Sequence, residues 1–574
     1  MSDFRIENNR ILAYTGTSHY PEIPEEAEEI GEGAFKDCRE LYEVTIPPNV
    51  KRIGNSAFEW CVNLKNVTGA EGLLHIGRDV FNGTPFYKYY CENETDWKEN
   101  FLILGKCLIK GRRNINTAAI PDGILQIASD AFSGCVLLRN VTIPDTVLEI
   151  GWRAFSECTG IFSITVPGNV KTVGWRAFKG CTRLKSITMC EGTETIEGGA
   201  FSGCRFLEHI VVPESVTHLG SWTFFACTNL LSVKLGDAIK EIGEWTFSGC
   251  DNLSSVNIPK SCVSVGADAF FENINLTELV LPDGLLKISK RAFAGCRYVR
   301  KLTLPACLRE IEEEAFAGCW AVKELVIPGN LGTVPDHAFY GCDGLEKLAV
   351  GDGVTSIGRE AFAECARLSD VTVPPTVTRI GAGAFHGCSA LLSGDFIMIG
   401  KVVYGYQGDA ERMCVPEDAE EIASGAFADR PDLRNAVIPL HIRKIGNGAF
   451  EGCGELLSVT APGFKPDFFE EGKLRFAAVM GFLCHDGEYP PDTAACYRKA
   501  AAACLKEAAE TSIELSLEAP LLYMTRTAML DDEIYGILLE ESQKKQRMGI
   551  VAMLLNYKKN ELAEQDPLAS LRLD

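Results

Sequence analysis

The chain has no run of 18 apolar residues anywhere in its 574 positions, and its opening, MSDFRIENNRILAYTG, has no basic stretch followed by an apolar one. A membrane-spanning helix needs the first and a cleavable export signal needs the second. The sequence therefore predicts a cytoplasmic protein without membrane insertion, and a cell-surface location only if a leader has been removed. Basic charge is also short: 56 Lys and Arg stand against 78 Asp and Glu, a formal charge of −22. Nucleic-acid affinity draws on Lys and Arg that displace counterions from phosphates, so nucleic acid is not an expected partner.

Motifs that carry chemistry are missing too. There is no Cys-x-x-Cys pair, no His-Glu-x-x-His, no phosphate-binding Gly-x-x-x-x-Gly-Lys-Ser/Thr and no Gly-x-Ser-x-Gly. The eight histidines, His19, His75, His209, His218, His337, His386, His441 and His485, share no spacing. Cys484, His485 and Asp486 are neighbours in the chain, which does not place them in one pocket. The expectation is a protein without catalytic residues, metal or cofactor. An enzyme carried by residues 464–574 is the remaining catalytic alternative, and no motif supports it.

What is present is a period. Phenylalanines preceded mostly by alanine fall at Phe132, Phe155, Phe178 and every 23 residues on to Phe385, with Phe35, Phe58 and Phe81 before and Phe427 and Phe450 after. From Phe155 the unit continues with Cys158, Ile161, Ile164, Val166, Pro167, Val170, Val173, Gly174 and Ala177. No single helical stripe gives that spacing, whereas a coil wound once per repeat turns all these positions inward. Leu-x-x-Val-x-Ile-Pro reads as a short strand closed by proline, Val-x-x-Ile-Gly as a second extended piece, and Ala-Phe through Cys as a tight corner. Successive coils then pair strands in parallel about 4.8 Å apart.

The unit resembles the BspA-type, or treponemal, leucine-rich repeat, C-x-x-L-x-x-[VI]-x-[IV]-P-x-x-[VI]-x-x-I-G-x-x-A-F, over roughly residues 4–463. The resemblance implies a repeat solenoid, a right-handed superhelix with parallel β-strands, used for protein binding or adhesion and found mainly in bacteria. It names no ligand.

Three departures break the period. Phe4, Phe101 and Phe396 each open a variant unit, near 4–34, 101–131 and 396–426, whose first residues (FRIENNRILAY, FLILGKCLIKG, FIMIGKVVYGY) read as paired extended segments around a turn. The first is expected to cap the stack and the others to sit within it as enlarged coils. The sequence thus divides into a solenoid over 1–463 and a small all-α domain over 464–574. Pro491-Asp492 and Asp531-Asp532-Glu533 mark helix starts there, and GIVAMLLNYKK resembles the second helix of an ankyrin-like pair.

Fourteen of the 23 cysteines occupy one repeat position. They are Cys38 and Cys61, then Cys135, Cys158, Cys181, Cys204, Cys227, Cys250, Cys296, Cys319, Cys342, Cys365 and Cys388, and finally Cys453. An evenly spaced ladder of thiols has no defined pairing, so these are read as buried free cysteines in a reducing compartment. Outward strand positions carry Ser163, Thr165, Ser186, Thr188 and their equivalents, read as ordinary exposed strand residues in preference to a polar binding strip. Four tryptophans are the candidate protein-binding residues: Trp152 and Trp175 at one repeat position, Trp222 and Trp245 at the next. They should lean on the outside of the corner, each pair stacked one coil apart. The aromatic stretch of Phe86, Tyr87, Tyr89, Tyr90 and Trp97 is a second candidate, read as packing. The functional expectation is a non-catalytic scaffold for a protein partner, with a surface or secreted adhesin as the alternative.

Overall fold

In the computed structural model, which describes residues 3–92, 100–408, 411–469, 472–527 and 529–565, the repeat is a β-solenoid coil. Most coils carry a strand such as Ser163–Val166, a two-residue strand such as Thr172–Val173, and a corner of turns through Ala-Phe to Cys. Both strands pair in parallel with their equivalents one repeat further on: Ile164 faces Ile187 and Thr172 faces Thr195. In the first strand the side chains alternate between exposed and buried, so Ile164 and Val166 enter the core while Ser163 and Thr165 face water.

The corner is held by bonds that cross one coil boundary. Phe155 N–H donates to Ala177 O at 2.7 Å, and Phe178 N–H to Ala200 O at 2.7 Å. The phenyl rings form a ladder from Phe132 to Phe362, the closest neighbours 5.0 Å apart (Phe247 and Phe270) and the farthest 5.7 Å (Phe201 and Phe224). Left-handed backbone recurs at two places in the corner, the second position before the phenylalanine and the second after it. Glycine, Asp or Glu occupy most of them, for example Gly199 and Gly203 or Asp268 and Glu272. A side chain in that region crowds its own carbonyl, which explains the preference.

The chain forms two compact units, one of Met1–Val354 with Ala361–Thr376 and one of Thr355–Glu360 with Val377–Asp574. In the first, the antiparallel hairpin Phe4–Glu7 with Arg10–Tyr14 begins the stack, and Arg10–Tyr14 pairs in parallel with Glu29–Ile30. The hairpin Phe101–Leu104 with Cys107–Gly111 lies inside it, and Cys107–Gly111 pairs with Gln126–Ile127. The sheet of two-residue strands ends at His75–Ile76 and a new one begins at this hairpin. The break is bridged by a side chain: Gln126 accepts from Ile76 N–H at 2.8 Å and donates to Ile76 O at 3.1 Å, so its amide stands in for a peptide group. Before the hairpin lies a helix absent from the sequence reading, α1 (Pro85–Glu92).

In the second unit the hairpin Phe396–Ile399 with Val402–Tyr406 pairs in parallel with Glu421–Ile422. The coil strands end at Ser458–Thr460. Among the described residues six α-helices follow: α2 (Lys473–Cys484), α3 (Pro491–Ala503), α4 (Leu505–Glu514), α5 (Glu518–Arg526), α6 (Asp532–Lys544) and α7 (Met548–Gln565). α3 and α6 begin at the two expected starts, and Asp531 caps α6 by accepting from Ile534 N–H at 2.8 Å. The alanine-rich run is two helices, interrupted at Cys504 (φ −123°, ψ 23°).

α2 was not foreseen, and it shares a core with the last coils. A Cβ on Gly481 would come within 2.2 Å of Val459 O, so glycine is what lets the helix lie on the final strand. Tyr489 Oη accepts from Ala461 N–H at 3.1 Å. The last strand therefore has a helix along its open side. α4–α5 and α6–α7 are hairpins of the same build. Leu517 N–H donates to Ser512 O at 2.7 Å in the first turn, Arg547 N–H to Ser542 O at 2.8 Å in the second, and Ser516 and Gln546 are both left-handed.

Candidate protein-binding surface

The four tryptophans lie on the corner beside the phenyl ladder, and the structure brings them together in pairs. Trp152 and Trp175 stack at 5.5 Å with 5° between planes, Trp222 and Trp245 at 5.1 Å with 12°. The pairs differ in surroundings. Arg153 and Arg176 hold their guanidinium carbons 4.8 and 3.8 Å from the Trp152 and Trp175 ring centres, covering those indoles. Trp175 is also fixed through its backbone N–H, which donates to Glu197 at 2.9 Å.

Trp222 and Trp245 have aromatic neighbours instead. Phe225 meets Trp222 edge-on at 5.2 Å and Trp245 at 6.2 Å, and Phe271 meets Trp245 at 6.3 Å. The two indoles occupy the left-handed position before the phenylalanine, with φ of 64° and 56°. Trp222 is 43% exposed. Phe225 and Phe271 were missed in the sequence. Each directly follows the core phenylalanine, where other coils have Ser156, Lys179, Ser202 or Ala294, so alignment by repeat position would have shown them.

The ladder cysteines lie on the inner side of the same corner. Cys158, Cys181, Cys204 and Cys227 donate through Sγ to Phe132, Phe155, Phe178 and Phe201 O at 2.9, 3.1, 3.2 and 3.2 Å. The series continues through Cys250, Cys296, Cys319, Cys342 and Cys365. Each thiol thus ties its coil to the one before. Burial pushes Cys181, Cys227 and Cys296 up to about 12, the direction opposite to a reactive thiolate. Cys135 makes a long contact, 3.9 Å to Arg112 O in the variant unit, and Cys388 is buried.

The strand face carries its charges in cross-coil pairs, Lys185 with Glu208 at 3.1 Å and Lys323 with Glu346 at 3.2 Å. Val280 on this face is 74% exposed. Of the second aromatic group, Phe86 is buried in α1, Tyr89 is exposed, and Trp97 lies outside the described residues. The adjacent Cys484 and His485 form no nucleophile and base pair: burial pushes the thiol up to about 11, and His485 faces Glu488 at 3.6 Å. Among the described residues no cluster of three or more His, Cys, Asp or Glu could hold a metal, and no helix is long and apolar enough to cross a membrane.

These features define a class, a repeat solenoid with an aromatic corner. The sequence matches the BspA type leucine rich repeat region over residues 8–102, 103–230, 195–297, 264–392 and 355–470, and the chain belongs to that family. Among solved structures it is similar to a leucine-rich repeat protein from Bacteroides ovatus, at 24% identity over 79% of this chain and 88% of that one, with a TM-score of 0.32. A leucine rich cell surface protein from Faecalibacterium prausnitzii matches at 24% identity over 64% and 92%, TM-score 0.30. The Treponema pallidum leucine rich repeat protein matches at 30% identity over 30% and 82%, TM-score 0.28. Comparison with curated proteins gives no match.

Proposed function

We propose that the protein is a non-catalytic scaffold that binds a protein partner through the Trp222–Trp245 corner. One observation carries this reading: two indoles stack one coil apart at 5.1 Å on the corner, and Trp222 is 43% exposed. Phe225 and Phe271 extend the pair into a rigid, partly exposed aromatic surface, the composition that dominates protein interfaces. Rigidity supplies the mechanism, since a preformed surface loses little conformational entropy on binding. Trp152 and Trp175, already covered by guanidinium groups, are the secondary contacts.

The test compares the intact chain with a Trp222→Ala, Trp245→Ala variant in partner recovery, followed by affinity measurement with the recovered protein. A loss of about 30-fold or more is expected for a pair of central anchors. Undiminished affinity would remove the reading.

We further propose a cytoplasmic location, supported by the series of ladder thiols, each donating a proton to a carbonyl that an oxidised sulfur could not serve. Fractionation of native cells tests it, and recovery in the surface fraction would favour the adhesin alternative.

A further inference from the structure

Several bases on the corner are neutralised by an acid one coil away: Lys36 by Glu59 at 2.8 Å and Arg291 by Asp268 at 2.8 Å. Three successive coils depart from that pattern. Residues 152–160, 175–183 and 198–206 hold five bases, Arg153, Arg176, Lys179, Arg183 and Arg205, and one acid, Glu157, in a chain of formal charge −22. Arg153 reaches Asp130 at 3.4 Å. The other four make no ion pair among the described residues. Their neighbours one period away explain it. Lys179, at the repeat position of Lys36, lies between Ser156 and Ser202, and Arg176, at that of Arg291, between Arg153 and Gly199. Arg183 has Gly160 and Phe206, and Arg205 has Thr182 and Thr228.

The acids at the margin are engaged, Glu208 with Lys185 at 3.1 Å and Glu197 with Trp175 N–H at 2.9 Å. Arg176 holds its guanidinium carbon 3.8 Å from the Trp175 ring centre, and stacking of this kind orders the side chain before a carboxylate arrives. Arg183 and Arg205 are exposed, and Phe206 beside them is 56% exposed. At about 0.1 M salt the Debye length is about 10 Å, so distant acids do not cancel the local sign. The patch is short: its ladder rings Phe155, Phe178 and Phe201 are 5.3 and 5.6 Å apart, and Trp222 stands one coil further on.

We infer that the partner segment bound at the Trp222–Trp245 corner continues over these coils as an acidic, extended stretch, whose carboxylates meet Arg176, Lys179, Arg183 and Arg205 and whose apolar side chains lie on Phe206. This rests on the tryptophan corner being the protein contact. An extended segment advances about 3.3 Å per residue, so three or four residues cross the patch. Nucleic-acid affinity instead accumulates over many phosphates, which so short a patch does not span.

The probe is the acetylated, amidated peptide (Glu-Glu-Phe)3, titrated into the full chain by calorimetry at about 0.1 M salt. Saturable binding is expected, at least about tenfold weaker for (Gln-Gln-Phe)3 and for an Arg183→Glu, Arg205→Glu variant, whose substitutions fall on exposed side chains. A Lys323→Glu, Lys347→Glu variant carries the same change in net charge on the strand face of later coils and should bind as the unaltered chain does. Absence of saturation, equal binding of the glutamine peptide, an equal loss in the strand-face variant, or tighter binding of octauridylate would each overturn the assignment. None of these results touches the tryptophan corner, whose own test is partner recovery by the Trp222→Ala, Trp245→Ala variant. Undiminished affinity there would remove the contact that this acidic stretch continues, even with the titration positive.

Discussion

Trp222 and Trp245 set stacking against backbone strain in the same two residues. An aromatic pair contributes about 0.5–1.5 kcal/mol beyond its burial, and a left-handed bulky residue costs about as much. Trp222→Gly should therefore change folding stability by no more than about 1 kcal/mol in a denaturant titration, while partner affinity falls. A large loss of stability would instead make the indole a packing residue. The ladder thiols act in the opposite sense, as packing with a pH limit. Their folded values lie near 12 for Cys181, Cys227 and Cys296, above the ordinary thiol range. Their stabilising contribution is full below about pH 9 and is lost as pH rises from there toward 12, because the unfolded chain releases protons that the folded chain retains. Thermal denaturation between about pH 7 and pH 10.5 should show the melting temperature falling above pH 9, and Cys227→Ala with Cys296→Ala should flatten the fall. Phe132, Cys158 and their equivalents were legible in the sequence because each recurs at one spacing, so the period itself states their environment. Phe225 and Phe271 do not recur coil after coil, and a reading by period passes over them.

The short strands, the three hairpins and the starts of α3 and α6 followed from alternation, turn residues and capping. α1 and α2 did not. α2 is apolar on nearly every face, from Phe476 to Leu483, because it is covered by the last strand and by other helices, and such a segment has no polar stripe to betray its period. α1 occupies positions where the repeat calls for a strand. Its place in the chain, like the role of Gln126, is set by contacts far off in sequence; Gln126 bonds a neighbour 50 residues away. Gly481→Ala should shift α2 off Val459, lower stability by about 2 kcal/mol or more, and expose the final strand. Removing residues 464–574 altogether should bare the Ser458–Thr460 edge and produce self-association, visible as concentration-dependent mass in light scattering. A strictly monomeric 1–463 fragment would contradict the role given to α2.

At the scale of the molecule, the bonds that define the solenoid join each coil to the next: Phe155 to Ala177, Cys181 to Phe155, Thr172 to Thr195. Stability in such an array is close to a sum over neighbours. That has a consequence for how genes of this kind can change length. Deletion of Trp175–Glu197, one full period, brings Gly174 to Gly198 and restores every register, so the shortened protein should remain folded by circular dichroism and melt cooperatively. A deletion from the same place that is one residue shorter or longer than the period throws all later strands out of phase and should leave much of the chain unfolded. The inheritable unit is thus the coil, and duplication or loss of the stretch of gene that encodes one is a silent event for its neighbours.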